Sequence, residues 1–237
     1  MFFLRKGSLI DSGIFTGFTD YHSHILYGVD DGIRTLEDSL ATLRYYEALG
    51  IQHVWLTPHI MEDIPNTTET LRNRFAELQQ AYSGPILLNL AAEYMMDSLL
   101  DERLMANDLL PIGTQGNHLL IETSYYNPPA GLYKTLELVM SKGYYPLLAH
   151  PERYRYMEEK DYDRLRQMGV KFQLNLPALV GMYSSNSQNA AYKLLQKGYY
   201  QVGGTDVHSL RSIQRALQEK DVKKKVFSPL QQLKTSL

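Results

Sequence analysis

Asp20-Tyr21-His22-Ser23-His24 closes an early apolar run, Phe18 to Tyr21, with two imidazoles two residues apart. Side chains at that spacing on a strand share a face, so His22 and His24 can reach one ion together. A lone H-x-H carries little, because histidines also sit in cores as satisfied polar groups. Here the pattern recurs at the ends of later apolar runs. His59 follows the run His53 to Thr57, Glu93 follows Ile86 to Ala92, and Glu122 follows His118 to Ile121. His150 follows Tyr145 to Ala149, and Asp206 with His208 follows Tyr199 to Val202. Asp31, in the loop after the first run, can lean over the same rim. These nitrogen and oxygen donors outnumber the roughly four that one zinc takes. Mixed imidazole and carboxylate sets suit manganese, iron or zinc, and a carboxylate can bridge two ions. Three divalent ions against the carboxylates of Asp31, Glu93, Glu122 and Asp206 leave a surplus of about two positive charges. That surplus favours a phosphate dianion over a neutral amide or sugar. Taken singly, each donor could be a helix cap or an ion-pair partner, Asp31 and Asp206 most easily; their joint recurrence at strand ends favours a metal cluster.

Such a cluster needs strands that end on one rim. Strand-like runs separated by helical ones repeat along the chain, which implies parallel pairing with right-handed crossovers. The helices are expected from about Thr35 to Leu49, Thr67 to Tyr82, Met96 to Met105, Gly131 to Ser141, Tyr162 to Met168 and Gln188 to Lys197. In the first, Thr35 caps, Leu36, Leu40 and Leu43 face inward, and Gly50 stops the helix. The sixth strand is Lys171 to Leu176. The fold class is therefore α/β, a distorted seven-unit (β/α) barrel with its metal site at the C-terminal rim of the strands. Glycine before Asp206 removes bulk where backbone approaches a neighbour. His53 and His118 stand at the opposite strand ends, roughly 20 and 13 Å from the rim at about 3.3 Å per residue, and are read as structural.

Residues 1–17 read as an N-terminal extension tied loosely to the outside of the barrel through Phe2, Phe3, Leu4, Leu9, Ile10 and Phe15. Residues 18–237 read as a single domain, a routine size for an α/β barrel. The 237 residues carry a net charge of -2, which gives no global case for nucleic acid or membrane surfaces. No cysteine is present, so disulfides and thiolate zinc sites are excluded, in keeping with a cytoplasmic location. The first residues do not form a secretory signal, and no stretch approaches the roughly 18 apolar residues of a membrane span. The 18 tyrosines, several in doublets such as Tyr125-Tyr126, are read as packing groups. The basic run Lys220 to Lys225 is read as a solvated helix end.

The H-x-H, the Val29-Asp30-Asp31-Gly32 loop, Thr57-Pro58-His59, the strand-end glutamates, His150-Pro151-Glu152-Arg153-Tyr154 and Thr205-Asp206-Val207-His208 occur in an order that resembles the polymerase-and-histidinol-phosphatase (PHP) superfamily. The His-Pro-Glu-Arg-Tyr segment is most similar to its capsule-type metal-dependent protein tyrosine phosphatases. The resemblance covers residues 18 to about 212. It implies a PHP-type metallophosphatase with three divalent ions, typically manganese. It groups His22, His24, Glu93 and Asp206 on one ion, Glu93, Glu122 and His150 on a second, and Asp31, His59 and His208 on the third. The family carries an arginine a few residues past its last histidine. Here the chain reads Ser209-Leu210-Arg211, which leaves Arg211 as a candidate beside Arg153. Asn175-Leu176-Pro177 also departs from the family's more glycine-rich turn and leaves the pocket's shape open.

The expected activity is hydrolysis of phosphotyrosine by metal-bound hydroxide, with Arg153 gripping the phosphate. The absence of cysteine closes the phosphocysteine route. The resemblance implies that the substrate is the tyrosine-rich tail of a kinase controlling capsule or exopolysaccharide export. The alternatives are a small-molecule phosphatase such as histidinol phosphatase, a nuclease, and a non-catalytic binding module of the same fold. The full set of donors speaks against the last.

Overall fold

The alternation of apolar runs and helices resolves into parallel strands. The computed structural model describes residues 6–218, 221–234 and 237. The expected packing of Phe2, Phe3 and Leu4, and Lys220 of the basic run, lie outside these residues. A short antiparallel pair joins the two ends of the described chain, β1 (Lys6–Ser8) with β11 (Asp221–Lys223). Three strands, β2 (Thr19–Asp20), β3 (His53–Leu56) and β5 (Leu87–Leu90), form one parallel sheet. Six more form a second, in the order β10 (Val202–Gly204), β9 (Lys171–Asn175), β8 (Tyr145–Leu148), β7 (His118–Glu122), β6 (Glu93–Met95), β4 (His59–Ile60).

The two sheets run on into one curled surface. Ala91 N–H donates to Leu56 O at 2.8 Å, and Glu93 N–H donates to Pro58 O at 3.1 Å. Beyond β2, Asp206 N–H donates to His22 O (2.8 Å) and His24 N–H donates to Val207 O (3.1 Å), tying the first run to the last. Gly204 makes that approach feasible. A Cβ there would lie 2.5 Å from His22 Cβ, so any side chain would push the two runs apart. Asp20 locks the same seam. Its Oδ1 accepts from Thr205 N–H (2.9 Å) and His22 N–H (3.2 Å), and its Oδ2 accepts from the Thr205 hydroxyl (2.7 Å).

Both faces of the sheet are covered, which is why its strands read as continuous apolar runs. On the concave side Tyr21, Trp55, Ala91, Leu120, Leu147 and Val202 form a small core of their own. Period two then sets the chemistry: Glu93 lies two residues beyond Ala91, and Glu122 two beyond Leu120, so both carboxylates stand on the inner face.

The helices are α1 (Leu36–Leu49), α2 (Thr68–Ala81), α3 (Ser98–Ala106), α4 (Leu132–Ser141), α5 (Glu159–Gln167), α6 (Ser185–Gln196), α7 (Leu210–Gln218) and α8 (Phe227–Gln231). Thr35 caps α1 by accepting from Asp38 N–H (3.2 Å), and Gly50 ends it in the left-handed region at φ 86°. Its buried face is Ser39, Thr42, Leu43 and Tyr46, with Leu36 and Leu40 half-buried at its edge. The face is rotated from the expected leucine stripe because Ser39 and Thr42, which bond Ile25 O and Asp38 O, sit at its centre. The strand expected at Tyr199 to Val202 begins only at Val202; Tyr199 and Tyr200 precede it as buried side chains. The α7 helix, which is not among the helices expected from the sequence, buries Ile213, Ala216 and Leu217.

The expectation of a loosely tied extension is corrected for its described part. Leu9, Ile14 and Phe15 are fully or almost fully buried in the main core, and β1 is paired. An apolar trio of that size leaves water wherever the chain permits.

The Asp20 seam yields a stability prediction. Asp20→Ala strands three buried donors, so urea unfolding should show a loss of about 3 kcal/mol. Asp20→Asn, which keeps an acceptor, should lose less than half as much.

Candidate metal centre

Seven of the nine expected donors are buried at the rim of the strands: His22, His24, His59, Glu93, Glu122, His150 and Asp206. Asp31 and His208 lie at the outer edge, more exposed. The nine meet in overlapping groups whose donor atoms lie within 4.8 Å of one another. One group is His24, Asp31, His59 and His208; another is His22, His24 and Glu93. A third is His22, His150 and Asp206, and a fourth His59, Glu93 and Glu122.

Glu93 stands at the middle. Its Oε2 lies 3.1 Å from His22 Nε2, 3.3 Å from His24 Nε2 and 3.2 Å from His59 Nδ1, while its Oε1 lies 3.1 Å from His150 Nε2. Asp206 divides its oxygens likewise. Oδ1 faces His22 and His24, each at 3.4 Å, and Oδ2 accepts from Arg153 (3.0 Å), Asn175 (2.7 Å) and Tyr183 (3.3 Å). Asp31 Oδ1 sits 3.5 Å from His59 Nε2 and 3.4 Å from His208 Nε2.

These residues fit divalent ions, on three grounds. The first is spacing. Ligands about 2.0–2.1 Å from a metal stand about 3.3 Å apart on a tetrahedron and about 2.9 Å on adjacent octahedral corners. The separations around Glu93 and Asp206 fall at 3.1–3.4 Å. The second is direction. His59 Nδ1 and Glu93 Oε2 are buried and 3.2 Å apart, yet neither makes a hydrogen bond. His22 Nε2 and His24 Nε2 face each other at 3.1 Å. The third is the support behind the rings. A ligating histidine is normally held through its other nitrogen. His24 Nδ1 is bonded to Asp30 Oδ2 (2.8 Å), His22 Nδ1 to Gln173 Oε1 (2.9 Å), and His208 Nδ1 to Asp206 O (2.9 Å).

The electrostatics agree. Burial opposes ionisation of Glu93, but the imidazoles of His22 and His59 hold its carboxyl well below the ordinary range. Burial and the negative charges of Glu93 and Asp206 push Glu122 well above it. Burial and Arg153 push His150 down to about 4. Protons alone therefore leave neighbouring carboxylates in opposite states, whereas cations satisfy both. The backbone is bent to the same end. His150 (φ 32°) and Asp206 (φ 51°) are two of the three described non-glycine residues in the left-handed region. Such conformations cost about 1–2 kcal/mol each and persist where surroundings over-determine them.

Arg153 follows from the short 3-10 turn Pro151–Arg153. Its guanidinium lies between two rings, 4.2 Å from the Tyr125 centroid and 4.3 Å from that of Tyr183. Its carboxylate partner is Asp206 of the cluster rather than Glu152, whose own carboxylate accepts from Asn175 N–H and the Tyr200 hydroxyl, both at 2.9 Å. A cavity of about 280 Å³ opens here, lined in part by Asp31, Arg153, Asp206 and His208. Arg211 is not brought to it. It is exposed on α7 and lines an adjoining depression with Asp31, Arg34 and His208. His53 and His118 lie apart from every donor group; His118 Nε2 is 2.8 Å from Lys171 Nζ, and His53 contacts Asn89.

Sequence reasoning missed the supporting residues Asp30, Gln173, Asn175, Tyr125 and Tyr183. Asp30 had a signal: it adjoins Asp31 in the quoted loop, and each ligating imidazole needs an acceptor behind it. Gln173 and Tyr183 had none, because their roles depend on strand register and on the turn after β9.

With this geometry in place, the chain can be set beside known proteins. The profile of the CpsB/CapC family, described as capsular polysaccharide synthesis, matches residues 18–229. The tyrosine-protein phosphatase CpsB of Streptococcus pneumoniae is 28% identical over 206 residues, covering 81% of this chain and 84% of that one. The tyrosine-protein phosphatase YwqE of Bacillus subtilis is 24% identical over 199 residues, covering 81% and 78%. One solved chain, from crystal structures of Bacillus subtilis YwqE and Streptococcus pneumoniae CpsB described as metal-dependent tyrosine phosphatases, superposes with a TM-score of 0.76. It shares 21% identity, with 90% of this chain and 85% of that chain covered, and supports the fold.

The position of Glu93 yields a test of the ligand set. Glu93→Ala should lose more than one metal per chain and Glu122→Ala mainly one, measured by elemental analysis of the purified variants. His53→Gln and His118→Gln should keep the wild-type content; a loss like that of His150→Ala would show that the strand directions are misread.

Proposed function

Because the chain belongs to the CpsB/CapC family of capsular polysaccharide synthesis, we propose that it is a metal-dependent protein tyrosine phosphatase acting in the cytoplasm on a phosphotyrosine-bearing protein. The observation that carries this reading is the opening of the donor cluster into a cavity that also holds Arg153. We take the fold as a distorted seven-unit barrel of the PHP type, with its site at the C-terminal rim. We take residues 18–237 as its domain and the tyrosine-rich tail of a polysaccharide-export kinase as its substrate.

The donors suit three divalent ions, manganese first, with iron or zinc as substitutes. His22, His24, Glu93 and Asp206 would hold one, Glu93, Glu122 and His150 a second, and Asp31, His59 and His208 the third. The groupings in the structure allow His24 to assist at the third site and His59 at the second. When bound, such ions polarise the phosphoryl group and bring the pKa of a coordinated water towards about 7. Three ions carry six positive charges. Asp30 joins the four ligand carboxylates, and Arg153 adds one positive charge, so the net remains about +2, matched to a phosphate dianion.

The chain's own residues do the positioning. Arg153 offers a planar pair of donors to two phosphoryl oxygens, a geometry that lysine's single ammonium cannot reproduce. Tyr125 and Tyr183 stack on it and Asp206 anchors one N–H, so its orientation is set before substrate arrives. Asn175 and Tyr183 share Asp206 Oδ2 with Arg153, which fixes that carboxylate as well. Hydrolysis takes one water and returns tyrosine and inorganic phosphate. No cysteine is present to carry the phosphoryl group.

The reaction is tested by turnover of a phosphotyrosyl peptide, which a chelator should abolish and added manganese restore. Histidinol phosphate serves as the comparison, and a preference for it would replace the protein-substrate reading. Arg153→Lys and Arg153→Ala should keep their metals and lose about 30- to 1,000-fold in kcat/KM, equivalent to roughly 2–4 kcal/mol of transition-state stabilisation. Unchanged kinetics with full metal would return Arg153 to a structural role and leave Arg211 as the candidate.

A further inference from the structure

The stretch that departs from the family's glycine-rich turn, Asn175-Leu176-Pro177, contributes Pro177 to the lining of the cavity at the metal centre. After β9 the chain enters a 3-10 turn, Leu176–Val180, and Gly181 (φ 70°) reverses it, delivering Met182 and Tyr183 to the opening. The resulting cavity has a mixed lining: ionic side chains from Asp31, Arg153, Asp206 and His208, and apolar ones that include Pro177, Met182 and Ile213.

The apolar lining residues differ in exposure. Pro177 and Ile213 are buried, whereas Met182 is 39% exposed, one of few large apolar side chains so placed among the described residues. Tyr183, which also lines the cavity, is already committed. Its ring lies against Arg153, and its hydroxyl donates to Asp206 and accepts from Asn175. Met182 is thus the side chain at the mouth that is free to cover a ligand, and a thioether adapts well to an aromatic edge or face.

The cavity's size limits what that ligand is. About 280 Å³ falls just under the roughly 300–1,000 Å³ of sites that enclose a drug-sized molecule, leaving room for a phosphoryl group and one ring. A phosphate seated against Arg153 carries its ester group towards the remaining volume. A tyrosine interposes a whole ring and a methylene between ester oxygen and backbone, so the ring lies along the apolar lining residues while the peptide stays outside. A serine interposes a single methylene; its backbone would have to enter the cavity, and Met182 would remain uncovered.

Resting on the phosphotyrosine phosphatase reading, we propose that Pro177, Met182 and Ile213 form the subsite for the substrate's aryl ring. Met182 is the residue that favours aromatic over compact phosphate monoesters. Its contribution is a covering contact that exists only when a ring is present, so it discriminates between ligands without touching the phosphoryl group.

Calorimetry with two non-hydrolysable ligands tests this on the manganese-loaded protein. The wild type should bind benzylphosphonate about tenfold more tightly than methylphosphonate. In Met182→Ala that ratio should fall to about threefold or less with methylphosphonate affinity unchanged, and Met182→Leu should keep the wild-type ratio. An unaltered ratio in Met182→Ala overturns the subsite, as does an equal loss for both ligands, which would mark a general disturbance of the site. Because binding is read apart from turnover, a protein that keeps the ratio but does not hydrolyse a phosphotyrosyl peptide would support the subsite while overturning the reaction.

Discussion

Burying negative charge without enough positive charge to meet it is the constraint that the rest of this structure answers. Glu93, Glu122 and Asp206 stand almost wholly out of water within reach of one another, surrounded by imidazoles rather than by lysines or arginines. Imidazoles help only if they carry protons: burial opposes this throughout, the neighbouring carboxylates overcome it at His22 and His24, and burial prevails at His59 and His150. Arg153 supplies one permanent charge at the edge. Isolated buried carboxylates on this scale would cost several kcal/mol each or force protonation. Divalent ions at the centre of the donors would resolve the imbalance, and the spacing of the donors suits them.

Much of the fold serves to hold that arrangement still. The curled sheet puts its strand ends on one rim, and the concave core beneath, from Trp55 and Leu120 to Val202, gives the donors a rigid floor. The seam between the first and last runs places His22 beside Asp206 and is secured by Asp20, Thr205 and the bare backbone of Gly204. Behind the ligands, Asp30, Gln173 and the Asp206 carbonyl fix three imidazole rings. In front, Tyr125 and Tyr183 fix the guanidinium. A site so preorganised loses little to reorganisation when phosphate enters, which is where electrostatic catalysis draws its advantage.

The parts of this legible in the sequence are those with local or periodic signatures. The parallel α/β character came from the alternation of runs, the donors from their recurrence at run ends, and the α1 boundaries from Thr35 and Gly50. What stayed hidden depends on long-range register. Gln173 reads as an ordinary strand residue until β9 lies beside β8 and its amide reaches both His22 and the His150 backbone. Tyr183 belongs to a turn whose course is set by Gly181. The N-terminal segment misled for a different reason. Leu9 and Phe15 read as sparse outer contacts because the β11 strand that pins their segment lies more than two hundred residues away.

The charge balance at the rim depends on where metal sits. Anomalous diffraction from crystals of the manganese-loaded protein measures this directly. The expected map has separate peaks on the two sides of the Glu93 carboxylate, one within coordination distance of His22 and His24 and one near Glu122, with a further peak between Asp31 and His208. Absence of anomalous density within about 3 Å of the Glu93 oxygens, in crystals shown to contain manganese, would contradict it.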